Sequence, residues 1–165
     1  MAYFIVIRGP AGIGKSTLSK ELTKILKANP IHFDKVMSKH KLDIIDGGGI
    51  SAKNFVKANK LVLKKALSSL KKEEVVIFDG CFYREEQIKH LLENLPYKSY
   101  IFSLKAPVNT CVSRNKTRSK DMSDEAIHEV YNLVFKYEFG IPVETHNKTI
   151  EQVTKEILGH IRIKS

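Results

Sequence analysis

One stretch near the start of the chain limits its fold more than any other: Gly9-Pro10-Ala11-Gly12-Ile13-Gly14-Lys15-Ser16-Thr17. It fits the pattern Gly, four residues, Gly-Lys-Ser/Thr of a phosphate-binding loop, or P-loop. Its glycines let the backbone curl so that several N–H groups converge on one phosphate with no Cβ in the way. Lys15 places a point charge for the β- and γ-phosphates, and Ser16 offers a hydroxyl to Mg²⁺. The helix that follows adds its positive N-terminal dipole. Gly9 through Thr17 are therefore candidate nucleotide contacts, with Lys15 also catalytic and Ser16 a metal ligand. The context agrees. Tyr3-Phe4-Ile5-Val6-Ile7 reads as a buried parallel strand, and Leu18, Leu22, Ile25 and Leu26 recur at helical spacing. A glycine-rich turn that fits the pattern by chance has no reason to sit between a strand and a helix in register.

The chain has 165 residues, enough for one domain with a substantial core, and the whole of 1–165 is expected to be that domain. Its longest apolar runs are strand-length, and the N-terminus lacks the charged and apolar sections of a signal peptide. Two cysteines, Cys81 and Cys111, make neither a disulfide framework nor a zinc site alone, so a reduced cytoplasmic setting is expected; the chain is also expected to be a monomer. The net charge of +10 favours anionic ligands: phosphorylated metabolites, nucleotides or RNA. The plainer explanation is a lysine-rich, merely soluble surface, since the lysines are scattered along the sequence.

The P-loop helix is expected to run to about Ala28, where Asn29-Pro30 breaks it. Ile31-His32-Phe33-Asp34 then reads as a short strand ending in a carboxylate. Gly47-Gly48-Gly49 predicts a loop, and Ser51 a cap on a long helix to about Lys72. Glu74 to Gly80 is the next strand and also ends near a carboxylate, Asp79. A helix over Arg84 to Leu95 and a strand over Tyr100 to Leu104 follow. Pro107 opens a helix carrying Arg114 and Arg118, and Ser123 caps another to about Tyr137. Ile141-Pro142-Val143 is a short last strand, and Thr149-Ile150-Glu151-Gln152 a capping box for the final helix. Strands alternating with helices imply right-handed crossovers and a parallel sheet covered on both faces. The expected fold class is α/β, a three-layer sandwich with about five parallel strands and a helical lid over about 113–122. Ligands in such sheets lie beyond the carboxyl ends of the strands, where the P-loop, Asp34 and Asp79 all fall.

P-loops serve switches, motors and kinases, so other residues must choose among them. A GTPase reads guanine with Asn-Lys-x-Asp, but Asn147-Lys148-Thr149-Ile150 has Ile at the last position. An ATPase motor places Glu after its strand-end Asp, whereas Gly80 follows Asp79. A compact kinase remains, and it needs cations over the transferring phosphate. Arg114 and Arg118, four apart, share one helix face and are suited to that task. On their own they would read as a basic helix end favourable to its dipole.

With these residues in place, the chain resembles the small P-loop kinases: shikimate, gluconate and adenylylsulfate kinases, zeta toxins and the polynucleotide 5′-hydroxyl kinases. The resemblance spans nearly the whole chain and rests on Gly9 to Thr17, Asp34, Val75 to Gly80 and Arg114-x-x-x-Arg118. It implies ATP and Mg²⁺ as cofactors. It makes Asp34 the residue that contacts or deprotonates the acceptor hydroxyl, and Asp79 a magnesium or substrate ligand. Arg114 and Arg118 become catalytic lid arginines. Arg84 resembles the substrate-side arginine of the polynucleotide kinases. The loop that wraps adenine in these families falls on Glu144 to Lys148, with Thr145 and Asn147 as nucleotide contacts. Shikimate kinase's glycine-rich substrate motif is missing, because Gly47-Gly48-Gly49 falls too early and lacks its neighbouring arginine. The acceptor stays open.

Each residue also has a simpler role. Asp34 can cap the next helix, Asp79 can serve an Asp-Gly turn, and Arg84 can be a surface arginine. His32 alternates to the strand face opposite its neighbour and reads as structural. Cys81 reads as a small buried side chain. The leading expectation is an ATP-dependent kinase acting on a hydroxyl of a small anionic molecule. A 5′-hydroxyl polynucleotide kinase with a nucleic-acid acceptor and a nucleotide-hydrolysing regulator are the alternatives.

Overall fold

The computed structural model describes residues 1–117 and 122–163. The elements run β1 (Tyr3–Arg8), α1 (Lys15–Leu26), β2 (Asn29–His32), α2 (Phe33–Lys39), α3 (Ala52–Lys71), β3 (Val76–Gly80) and α4 (Glu85–Asn94). They continue with β4 (Lys98–Lys105), α5 (Val108–Asn115), α6 (Asp124–Phe135), β5 (Ile141–Glu144) and α7 (Ile150–Ile163). The strands form one five-stranded sheet in the order β2-β3-β1-β4-β5, parallel at every pairing.

Alternation along β1 sorts the core. Successive strand side chains point to opposite faces, so Phe4 and Val6 join a cluster with Phe33, Phe55, Phe78 and Leu91. Ile5 and Ile7 join another with Leu18, Leu22, Phe102 and Ile157. Helices α2, α3 and α4 supply the first cluster, and α1 and α7 supply the second. Both faces are covered, which gives the expected three layers and explains why β1 is apolar without a polar side. No helix among the described residues is long and apolar enough to cross a membrane.

Several boundaries differ from expectation, each for a local reason. Helix α1 stops at Leu26 because Lys27 turns left-handed (φ 49°) and its N–H bonds to the carbonyl of Thr23. The chain then enters β2 at Asn29, so Pro30 lies within a strand. That is tolerated because β2 is an edge strand, where a missing N–H costs no ladder bond. Strand β2 ends at His32, and Asp34 falls in the first turn of α2, where its charge suits the helix dipole. The helix cap position there is His32, with no side-chain bond, so Asp34 is not the cap. The expected Ser51 and Ser123 caps are present, accepting from Asn54 N–H and Ala126 N–H.

Candidate functional site

The P-loop is the chain between β1 and α1, and its shape depends on glycine. Gly14 is the N-cap of α1 at φ 104°, with no side-chain cap and no acid in the first turn. The first N–H groups of α1 therefore have no side chain competing with an incoming anion. Gly12, at φ 81°, passes so close to α5 that a Cβ would run into the Cys111 carbonyl. Lys15 is buried, and its Nζ donates to the Pro10 carbonyl at 2.9 Å, so the ammonium is folded over the loop.

Arg114, on α5, clamps this loop from the side. Its Nη1 donates to the Ile13 carbonyl (3.0 Å) and Thr145 Oγ1 (3.3 Å), and its Nη2 to the Thr145 carbonyl (3.2 Å). The P-loop and the loop between β5 and α7 thus meet on one guanidinium. Between them lies a cleft of about 290 Å³ lined by Gly12, Gly14, Thr17, Arg114, Thr145 and Lys148, among others. Asn147 holds the turn in a left-handed conformation (φ 57°) and is not among the lining residues. Arg118, the second expected lid cation, lies outside the described residues, as do Ser119 to Asp121 of the expected lid.

A second cleft, of about 340 Å³, opens on the other side of the first turn of α1. Ser16, Lys20, His32, Asp34, Lys35 and Asp79 line it. His32 and Asp79 are register partners on β2 and β3, and His32 Nδ1 stands 2.6 Å from Asp79 Oδ2 with one proton between them. The edge strand thus turns His32 toward the carboxylate. Alternation along β2 alone, from which His32 reads as structural, carries no information about this partner on β3. Asp79 is almost fully buried, and burial pushes its carboxyl up from the usual range. The neighbouring Ser19 hydroxyl, His32 and Lys15 oppose that rise. Ser19 Oγ is itself buried beside Asp79. Cys81 sits beside these groups, and burial pushes its thiol up to about 11, which keeps it protonated and unreactive at neutral pH.

The residues present fit a magnesium ion. A hydroxyl and a carboxylate, Ser16 and Asp79, line one cleft, and Mg²⁺ is commonly held by one or two carboxylates plus phosphate oxygens. Among the described residues no cluster of three or more His, Cys, Asp or Glu forms a dedicated cage.

Arg84 is placed differently from a free substrate arginine. Its Nε and Nη2 donate to the carbonyls of Ile50 (2.9 Å) and Gly48 (3.0 Å), and it stacks on Tyr83. Tyr83 in turn accepts from Ile50 N–H at 2.7 Å. Arg84 therefore anchors the glycine loop.

Sequence reasoning missed one more group, Arg8, at the end of β1. It is 1% exposed and has no carboxylate partner among the described residues. Its Nη1 donates to Ser103 Oγ (2.8 Å) and its Nη2 to the Val134 carbonyl (2.6 Å) near the end of α6. Burial lowers its pKa to about 10. Its place directly before Gly9 was the only available signal.

A family model described as AAA domain, AAA_33, matches residues 4–135. No curated protein sequence matches the chain. Among solved structures, a sugar kinase from Janibacter sp. HTCC2649 superposes with a TM-score of 0.75 at 12% identity, covering 99% of this chain and 96% of that one. A gluconokinase from Sinorhizobium meliloti 1021 gives 0.71 at 14% identity, covering 94% and 89%. Shikimate kinase from Acinetobacter baumannii, in complex with shikimate, gives 0.62 at 17% identity, covering 99% and 94%. With a P-loop at the head of a five-stranded parallel sheet and a family model matching most of its length, the chain belongs to the AAA domain family AAA_33 and has the fold of the small P-loop kinases.

Proposed function

We propose that the protein is an ATP-dependent kinase that transfers the γ-phosphoryl group to a hydroxyl of a small, anionic acceptor. One observation carries this reading: two clefts flank the first turn of α1, one lined by P-loop glycines and the other by Asp34 and Asp79. A triphosphate following the P-loop from the first cleft would present its terminal phosphate to the second. The second cleft has the volume of a small-molecule site, and Lys20 and Lys35 on its wall suit an anionic acceptor.

In this reading the P-loop N–H groups and Lys15 hold the β- and γ-phosphates. Arg114 fixes the loop's shape and, with Arg118, neutralises charge on the transferring group. The acceptor hydroxyl oxygen forms a bond to the γ-phosphorus as the bond to the β,γ-bridging oxygen breaks, leaving ADP. The hydroxyl proton passes to Asp34, an exposed carboxylate within the cleft. Bound Mg²⁺, on Ser16 and Asp79, would offset charge on the phosphate oxygens. Thr145 and Asn147 would contact the nucleoside end, and Arg84 the acceptor through the loop it anchors.

An acceptor screen reading γ-phosphate transfer, with sugars, polyols, hydroxy acids and nucleosides, tests the proposal. Asp34→Asn is expected to lower kcat about 10²–10⁴-fold, the range for loss of a general base, with nucleotide affinity little changed. Steady ATP hydrolysis that no acceptor accelerates would count against it.

A further inference from the structure

Lysines that look scattered in sequence are gathered by the fold. Helix α3 carries Lys53, Lys57, Lys60, Lys64, Lys65 and Lys71 and has no Asp or Glu along its 20 residues. At 3.6 residues per turn, Lys53, Lys57, Lys60, Lys64 and Lys71 fall within an arc of about 60°, in a row about 27 Å long. All five are exposed, and none takes part in an ion pair among the described residues. The opposite face, with Phe55, Ala58, Val62, Ala66 and Leu70, is buried in the core.

The row does not serve the helix. Lys53 and Lys57 stand near its positive N-terminal end, and Lys53/Lys57 and Lys60/Lys64 are like-charge pairs four apart. A merely solvated helix mixes signs, as neighbouring α4 does with Glu86, Lys89 and Glu93. From Lys53 to Lys64, spacings of three and four residues put successive ammonium groups about one helical turn apart, the scale of neighbouring phosphates on an extended strand, and Lys71 follows two turns further on.

We propose that the exposed face of α3 is a track for the sugar–phosphate backbone of a single-stranded nucleic acid. A linear occupant fits better than a flat anionic membrane for two reasons. The apolar face of α3 is committed to the core and cannot insert into lipid. A plane resting on α3 would also meet the exposed carboxylates Glu86 and Glu93 of α4, which packs beside it. Helix α2, which also packs against α3, adds the exposed Lys39. No aromatic side chain lies in the row, so binding should be insensitive to base sequence. The inference is independent of phosphoryl transfer, because none of these five lysines lines either cleft.

The test is fluorescence anisotropy with a labelled 20-nucleotide single-stranded RNA over a salt series. Five phosphate contacts correspond to a slope of log affinity against log salt of about −3.5. The triple variant Lys57→Gln/Lys60→Gln/Lys64→Gln should make that slope shallower by about 2. A control with the same charge change elsewhere, Lys24→Gln/Lys27→Gln/Lys155→Gln, should leave it unchanged. Circular dichroism and the melting shift with nucleotide should match wild type in both. No RNA binding, equal losses in the two triple variants, or tighter binding to phosphatidylserine vesicles than to RNA would each overturn the proposal.

Discussion

At the scale of single residues, two buried charges define the site. Lys15 has its ammonium on a backbone carbonyl rather than in solvent, so it is preorganised at the loop and little of the fold depends on it. Lys15→Met keeps the stem and removes the charge. It is expected to lower kcat for phosphoryl transfer by at least about 10²–10³, the cost of one lost electrostatic donor at a transition state. Its melting temperature should stay within a few degrees of wild type. Asp79 differs because burial holds its carboxyl above the ordinary range. Between the unfolded and the raised folded value, the native state binds the extra proton, so stability falls as pH rises through that window. Below the ordinary carboxylate range the effect vanishes, because both states are protonated. The near-isosteric Asp79→Asn lacks this penalty. Its melting temperature relative to wild type is therefore expected to be higher at pH 7 than at pH 4, read by calorimetry at both. Equal differences at the two pH values would mean that His32 and Lys15 fully offset the burial.

At the scale of elements, local signals were legible where one segment decides its own structure. The strand–loop–helix at Gly9 to Thr17, the Ser51 and Ser123 caps and the capping box at Thr149 all rest on residues a few positions apart. Ser51 shows the strength of such a signal: its hydroxyl accepts Asn54 N–H at 3.2 Å at an exposed helix end. Ser51→Ala is expected to cost about 1 kcal/mol in chemical denaturation, without changing nucleotide binding. What sequence did not show depends on partners far along the chain. Pro30 reads as a breaker until β2 is known to be an edge strand. Helix α2 starts right after His32, so Asp34, expected at a strand end, sits in a first helical turn. His32 joins the site only because β2 lies beside β3 with His32 against Asp79. Arg84, read as facing substrate, meets Gly48 and Ile50, whose positions depend on how the glycine loop closes. The lysines of α3 had the right period throughout, but they read as scattered along the chain until the buried side of the helix was known.

At the scale of the whole molecule, Arg8 links the strand that leads into the P-loop to α6. β1 ends at Arg8, the P-loop begins at Gly9, and the guanidinium reaches the carbonyls of Val134 and, at 3.4 Å, Tyr137 at the end of α6. Helix α6 has no basic residue in its last turn and Lys136 at its C-cap, and the buried Arg8 adds positive charge that its C-terminal dipole favours. The arrangement is costly as well as useful, since burial lowers the Arg8 pKa to about 10 and its Nε has no partner among the described residues. Replacing a buried ion with an apolar side chain can be neutral when its partners are lost together. Here the partners are backbone carbonyls and Ser103, which remain. Hydrogen bonds from charged groups contribute about 1.5–3 kcal/mol each, and relief of the buried charge offsets part of their loss. Arg8→Met is therefore expected to destabilise the fold by about 1–3 kcal/mol, read by denaturant unfolding. Amide exchange should rise at the C-terminal turn of α6 while α3 and α4 keep their protection. If exchange rose evenly across the sheet instead, Arg8 would be an ordinary core residue and not a tie between the P-loop strand and α6.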